Sequence, residues 1–144
     1  MRLSTKCRYG LRALIDLALY SSEKQIALKD IAERQNVSLK YLEQEFSLLK
    51  RTGLVRSVKG SRGGYLLAKP ADEIRLDEVI RALEGDTLII DVDDKDASGL
   101  RSFLQRHLWE QLNRSVETYF HSITLADLVR DYSAKNSGSE MFFI

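Results

Sequence analysis

Between residues 5 and 67 the chain alternates helical apolar stripes with turn residues in an order that few small folds accept. Leu11, Leu14, Ile15, Ala18 and Leu19 recur at helical spacing and predict a first helix over about residues 5–21, ended by Ser21-Ser22. Leu28, Ile31 and Ala32 predict a short second helix over residues 28–35. Asn36-Val37-Ser38 is a turn, and Ser38 is a good N-cap for a third helix over residues 39–52 that points Leu42, Phe46 and Leu49 inward. Gly53 stops that helix as a C-terminal glycine. Two short β-like runs, 54–58 and 65–67, then flank Lys59-Gly60-Ser61-Arg62-Gly63-Gly64, which reads as a hairpin with a flexible tip.

Helix, short helix, turn, helix, basic hairpin is the order of a winged helix-turn-helix. Pro70, the only proline, closes this unit. A helix over residues 76–83 follows, with Leu76, Val79, Ile80 and Leu83 on one face, and Gly85 ends it. Residues 87–99 are irregular and acidic. A long helix is expected over residues 100–121, where Leu104, Leu108, Leu112, Val116 and Phe120 recur every four residues and Phe103, Trp109 and Tyr119 widen the apolar surface. That stripe is either an internal core face or a dimerisation face; small helices leave little core to cover so wide a surface. Thr124 and Asp127 form a capping-box pattern for a last turn or two over residues 125–129. Residues 133–140 are small and polar and read as a flexible tail ending in Met141-Phe142-Phe143-Ile144. The expected class is mainly α with a small β-hairpin. The expected parts are a winged helix-turn-helix domain over 1–85, a region with the long helix over 86–132 and a tail over 133–144.

The net charge of +1 hides a split. Residues 1–69 hold 14 Lys/Arg against 6 Asp/Glu, a net of +8, whereas residues 70–144 hold 8 against 15, a net of −7. Such asymmetry points either to nucleic-acid binding by the basic half or to two halves that neutralise each other within one fold. The placement of the bases favours the first. Residues 50–62 carry Lys50, Arg51, Arg56, Lys59 and Arg62 and no acid. On the third helix Lys40, Tyr41, Glu43, Gln44 and Ser47 are outward. Glu43 can accept from cytosine N4 and Gln44 can bond adenine. Lys50 and Arg51 suit phosphate oxygens, which position a protein without reading sequence. Gly60, Gly63 and Gly64 let the hairpin tip approach a backbone, which suits the minor groove or flanking phosphates. Arg2, Ser4, Lys6 and Tyr9, before or at the start of the first helix, are either further phosphate contacts or solvated terminal residues.

At these residues a resemblance appears. Residues 1–13, Met-Arg-Leu-Ser-Thr-Lys-Cys-Arg-Tyr-Gly-Leu-Arg-Ala, resemble the opening of the bacterial IscR/NsrR/CymR family of regulators. Tyr41-Leu42-Glu43-Gln44, Gly53-Leu54-Val55 and Arg62-Gly63-Gly64-Tyr65 are similar to that family's recognition helix and wing, with Ser38 at the helix start, and Leu83-Glu84-Gly85 to its domain junction. The resemblance implies a homodimeric, cytoplasmic transcription factor on a near-palindromic operator in double-stranded DNA. It implies that the long helix pairs with its mate through Leu104, Leu108, Leu112, Val116 and Phe120. Members that hold an iron–sulfur cluster do so with three cysteines before the long helix. Their spacing falls here near Val92, Ser98, Leu104 and His107, of which only His107 ligates well, so no cofactor is expected. The CymR-like subgroup lacks the cluster and ends in Met-aromatic-aromatic-Ile, as Met141, Phe142, Phe143 and Ile144 do here. In that subgroup the tail is thought to dock in cysteine synthase, imitating the terminal isoleucine of serine acetyltransferase. The implied function is repression of cysteine and sulfur genes with cysteine synthase as partner. A tail folded back on its own domain is the alternative, and an iron–sulfur-linked regulator is the alternative function. A protein-interaction module without DNA is the alternative of another class.

Other signals carry less. Cys7 lies between Lys6 and Arg8, so it is either a redox-sensitive thiol or a small packing residue. One cysteine makes no internal disulfide. Asp94, Asp96, Ser98 and Gly99 match the opening of a calcium loop, but the twelfth position is Gln105, not the bidentate Glu such a loop needs, and no metal site is expected. No apolar run approaches a membrane span, no signal peptide is recognisable, and no nucleophile or phosphate-loop motif supports an enzyme.

Overall fold

The computed structural model describes residues 3–22, 24–85 and 99–142, the last five of these as backbone only. Three helices open the chain: α1 (Thr5–Tyr20), α2 (Leu28–Gln35) and α3 (Leu39–Arg51). Ser4 caps α1 by accepting the Cys7 amide, and Ser38 caps α3 by accepting the Tyr41 amide, each at 3.1 Å. Asn36, at φ 53°, turns α2 into α3. Past α3, Gly53 takes φ 80°, the left-handed conformation glycine adopts without strain.

The wing pairs β1 (Val55–Val58) with β2 (Gly64–Leu67) antiparallel, Val55 opposite Leu67 and Val58 opposite Gly64. A third short element joins it. Ile26, in the α1–α2 connection, exchanges both backbone hydrogen bonds with Tyr65, at 3.0 and 2.8 Å. Gly64 permits this contact, because a Cβ there would lie 2.4 Å from the Ile26 carbonyl oxygen. No apolar periodicity marks a single-residue bridge, so the sequence showed only two strands.

A 3-10 turn (Ala71–Glu73) leads to α4 (Leu76–Glu84). Leu14, Leu17, Ile31, Leu42, Phe46, Leu49, Ile74, Val79 and Leu83 form one core between α1, α2, α3 and α4. Phe46 is fully buried and meets the Tyr65 ring edge-on at 5.1 Å, which ties α3 to the wing. Burial of such a side chain is worth about 1.5–3 kcal/mol.

After the acidic stretch, whose residues 86–98 lie outside the described residues, the chain is helical through α5 (Gly99–Leu104), a π-helical turn (Gln105–Trp109) and α6 (Glu110–Ser122). The backbone stays helical at both joints, so these form one rod of about 36 Å at 1.5 Å per residue. Its end returns to the head: Leu76 donates to the Ile123 carbonyl and Leu125 to the Ile74 carbonyl, both at 2.8 Å. The Thr124–Asp127 capping box forms as the sequence implies, with reciprocal bonds of 2.9 and 3.0 Å. Hydrogen bonds from Thr124, with Arg130 adding, hold the Asp127 carboxyl below its usual range.

The final helix, α7 (Leu125–Phe142), corrects one expectation. The sequence suggested a flexible tail from Ser133, whereas the helix runs on to Phe142. The reason is permissive: Ala134, Lys135 and Glu140 favour helix, no proline intervenes, and Gly138 alone costs only about 1 kcal/mol. Residues 130–137 are all exposed.

Candidate nucleic-acid interface

The amphipathic pattern of α3 turns Lys40, Glu43, Gln44, Ser47, Lys50 and Arg51 to solvent on one face. A shallow groove runs along it, lined by Lys6 from α1 together with Lys40, Glu43, Gln44, Ser47 and Arg51. The start of α1 therefore lies beside the outward face of α3. Two possible base-reading groups, Glu43 and Gln44, sit within a basic rim, the arrangement that direct readout requires.

Strand alternation sends Val55 inward and Arg56 outward, while Lys59, Gly60, Ser61 and Arg62 are exposed at the wing tip. No ion pair with a described residue engages Lys6, Lys40, Lys50, Arg51, Arg56, Lys59 or Arg62. The tip is held from behind, because Gln25 donates from Nε2 to the Arg62 carbonyl at 2.6 Å. Gly63 cannot carry a side chain here, since a Cβ would lie 2.6 Å from the Val58 carbonyl oxygen.

Several expected contacts are occupied within the protein. The Ser4 hydroxyl donates to Glu84, so it faces α4 instead of a phosphate. Ser38 serves α3 as its cap. Tyr9 and Tyr41 are half-buried and pack edge-to-face at 6.0 Å, with the Arg12 guanidinium 5.1 Å above the Tyr9 ring. Burial raises the Tyr41 phenol above its ordinary range, with Glu45 adding. Arg2 lies outside the described residues.

Cys7 has no exposed surface. Burial pushes its thiol up to about 11, with Glu84 and Glu45 contributing in the same direction. The packing alternative is the one these surroundings favour, because a reactive cysteine needs access and an electropositive neighbourhood.

The long helix divides its stripe. Phe120 packs partly on the core of its own chain, because the return of the chain at residues 123–125 draws the end of α6 toward α4. Leu104, Leu112 and Val116 are half-buried. Leu100, Phe103, Leu108 and Tyr119 are exposed, Leu100 by 72% and Tyr119 by 63%. His107 is exposed and stacks on Phe103 at 4.4 Å. Of the positions matching cluster ligands, Leu104 offers no donor, and Val92 and Ser98 lie outside the described residues. With Cys7 as the sole cysteine and buried in the head, the donor set does not fit a conventional iron–sulfur cluster. Among the described residues no group of three metal-binding side chains converges, and no helix is long and apolar enough to cross a membrane. Phe143 and Ile144 lie outside the described residues, and of Met141 and Phe142 only the helical backbone is described.

The sequence pattern did not single out two buried polar residues, Asp16 and Glu45. Asp16 lies on the buried face of α1 and accepts hydrogen bonds from Arg34 and Gln35 of α2. Glu45 lies on the buried face of α3. Spacing was the available signal: Asp16 follows Ala13 by three residues and Glu45 follows Leu42 by three, which places both on apolar stripes.

Comparison with known proteins agrees with this arrangement. A family model described as Rrf2, iron-dependent transcriptional regulator, matches residues 3–131. The chain is 43% identical over 132 residues to the HTH-type transcriptional regulator IscR of Erwinia tasmaniensis, covering 91% of this chain and 80% of that one. Its fold matches CymR (YrzC), the global cysteine regulator of B. subtilis, with a TM-score of 0.78 and 38% identity over 90% of this chain and 97% of that one. It matches T. potens IscR with a TM-score of 0.74 and 39% identity, over 92% and 88% of the two chains.

Proposed function

Because the chain belongs to the Rrf2 family of transcriptional regulators, we propose that it acts as a homodimeric repressor of cysteine and sulfur genes. It is a DNA-binding regulator and not an enzyme. In this reading Glu43 and Gln44 read base edges, with Lys40 and Tyr41 beside them. Lys50, Arg51 and Arg56 anchor phosphates, and Lys59 and Arg62 bring the wing tip to the minor groove or its flanking phosphates. The exposed apolar surface of the long helix at Leu100, Phe103 and Leu108 serves the mate.

The observation that carries the sulfur assignment is the donor set. A cluster-linked regulator with three cysteine ligands needs thiolates beyond the single Cys7 of this chain, and it is this shortfall that separates the two readings, because the fold matches a global cysteine regulator and an IscR alike. A partnership with cysteine synthase through Met141–Ile144 is supported by α7, which carries an exposed run of residues toward that segment. Cysteine synthase captured equally by the full chain and by a chain truncated before Met141 refutes the docking.

Genome-wide capture of bound DNA tests the assignment. Promoters of sulfur-assimilation genes are expected; promoters of cluster-assembly genes, with iron and visible absorbance in the purified protein, establish the IscR-like alternative. Replacement of Lys59 and Arg62 by alanine is expected to weaken binding on all sequences and to flatten the salt dependence by about two, one for each phosphate contact. Unchanged affinity refutes the wing assignment.

A further inference from the structure

The recognition helix buries a carboxyl group that base reading does not use. Glu45 has no exposed surface, and neither of its oxygens has a hydrogen-bond partner among the described residues. Native proteins rarely leave such a group unpaired without a reason. One oxygen sits in the crossing of α1 and α4: a Cβ on Gly10 would lie 2.6 Å from Glu45 Oε2 and 2.8 Å from Leu83.

The charged and titratable groups around it come from three helices. Lys6 and Cys7 face it from α1, Tyr41 from its own helix and Glu84 from α4. Glu84 is held in place by the Ser4 hydroxyl and amide. Burial lifts the Glu45 carboxyl to about 7, with Glu84 adding and Lys6 opposing. Lys6 has a second position in the geometry, since it also lines the reading groove. A duplex in that groove brings phosphate charge close to Glu45 and competes for the Lys6 ammonium. Both effects disfavour a buried carboxylate.

We propose that Glu45 is a proton-linked element of the DNA-reading head, neutral when DNA is bound, so that binding takes up a proton and strengthens as pH falls through neutrality. The proposal rests on the DNA-binding reading given above. Its function is pH sensing at the recognition helix, exerted from behind by a residue that touches no base.

The test uses the full chain and a labelled random-sequence duplex, with anisotropy followed from about pH 8 to about pH 6 at constant ionic strength. If bound phosphates make the carboxyl about tenfold harder to ionise, wild-type affinity rises about fivefold more over this range than that of Glu45→Gln. Glu45→Leu, which fills the site with an apolar group, is expected to share the flatter profile. Every other group of the chain is common to all three proteins and cancels in the comparison. Parallel profiles for the wild type and both variants overturn the proposal. Carbon-13 NMR of the Glu45 carboxyl in the wild type supplies a reading without substitution: its midpoint is expected to move up when duplex is added, and an unmoved midpoint overturns the linkage. If the wild type binds no duplex at any pH while Glu45 still titrates near neutrality, the DNA-binding reading itself has failed and the proposal falls with it.

Discussion

Asp16 is the residue whose removal should reveal how the helix-turn-helix is held. Its carboxylate is fully buried and accepts from Arg34 Nη2 at 2.7 Å, Arg34 Nε at 3.0 Å and Gln35 Nε2 at 2.8 Å. The Arg34 guanidinium also lies 4.3 Å over the Tyr20 ring, and its hydrogen bond to Asp16 raises its pKa. The end of α2 is thereby fixed to α1 just before Asn36 turns the chain into α3. Breaking a buried pair by removing one partner costs about 3–5 kcal/mol. Arg34 is 35% exposed and can turn to water once freed, which discounts that figure to about 2–3 kcal/mol for Asp16→Ala. Asp16→Asn keeps the volume and part of the bonding and should cost about 1–2 kcal/mol. Urea unfolding followed by helical circular dichroism gives both values, and a double-mutant cycle with Arg34→Ala isolates the pair. A loss below about 0.5 kcal/mol for Asp16→Ala, or a coupling indistinguishable from zero, refutes the clamp.

Two further predictions concern the buried acid and thiol. Because the folded-state Glu45 carboxyl lies at about 7, above its ordinary 4.5, ionisation opposes folding; wild-type stability relative to Glu45→Gln is retained at low pH and falls by about 3 kcal/mol as pH rises from about 4.5 to about 8. Urea unfolding across that range checks the sign, and a gap that is constant or widens in the opposite direction contradicts it. Cys7, buried and shifted to about 11, should react with iodoacetamide at least about 100-fold more slowly in the native protein than in the unfolded chain; equal rates would restore the redox reading.

The sequence made the helical head and the wing legible through their boundaries. Ser38, Gly53 and Gly85 each mark an end that local chemistry decides, so they could be read without tertiary information. The outward residues of α3 followed from the same periodicity. Residues whose roles depend on distant partners could not be read this way. Ser4 looks like a phosphate contact until Glu84, eighty residues away, takes its hydroxyl. Phe120 belongs to an apolar stripe in the sequence, but the bridge between Arg75 and Thr124 determines which surface covers it. Polar residues on apolar stripes, Asp16 and Glu45, break the pattern that identifies a core. Residues 133–142 look loop-like by composition, yet contain nothing that prevents α7 from continuing.

The Ile26–Tyr65 bridge has a consequence for the thermodynamics of recognition. A two-stranded hairpin is marginally stable by itself, and a loose wing would lose its freedom only on meeting DNA. Here the third strand segment, the Phe46–Tyr65 contact and the Gln25 hydrogen bond order the tip during folding. Its conformational entropy is therefore lost before the encounter, and Lys59 and Arg62 arrive on a frame already set relative to α3. Under the proposed contact of Lys59 and Arg62 with DNA, the wing contributes to speed of capture as well as to strength, because a preformed pair of cations presents one shape to every duplex it meets.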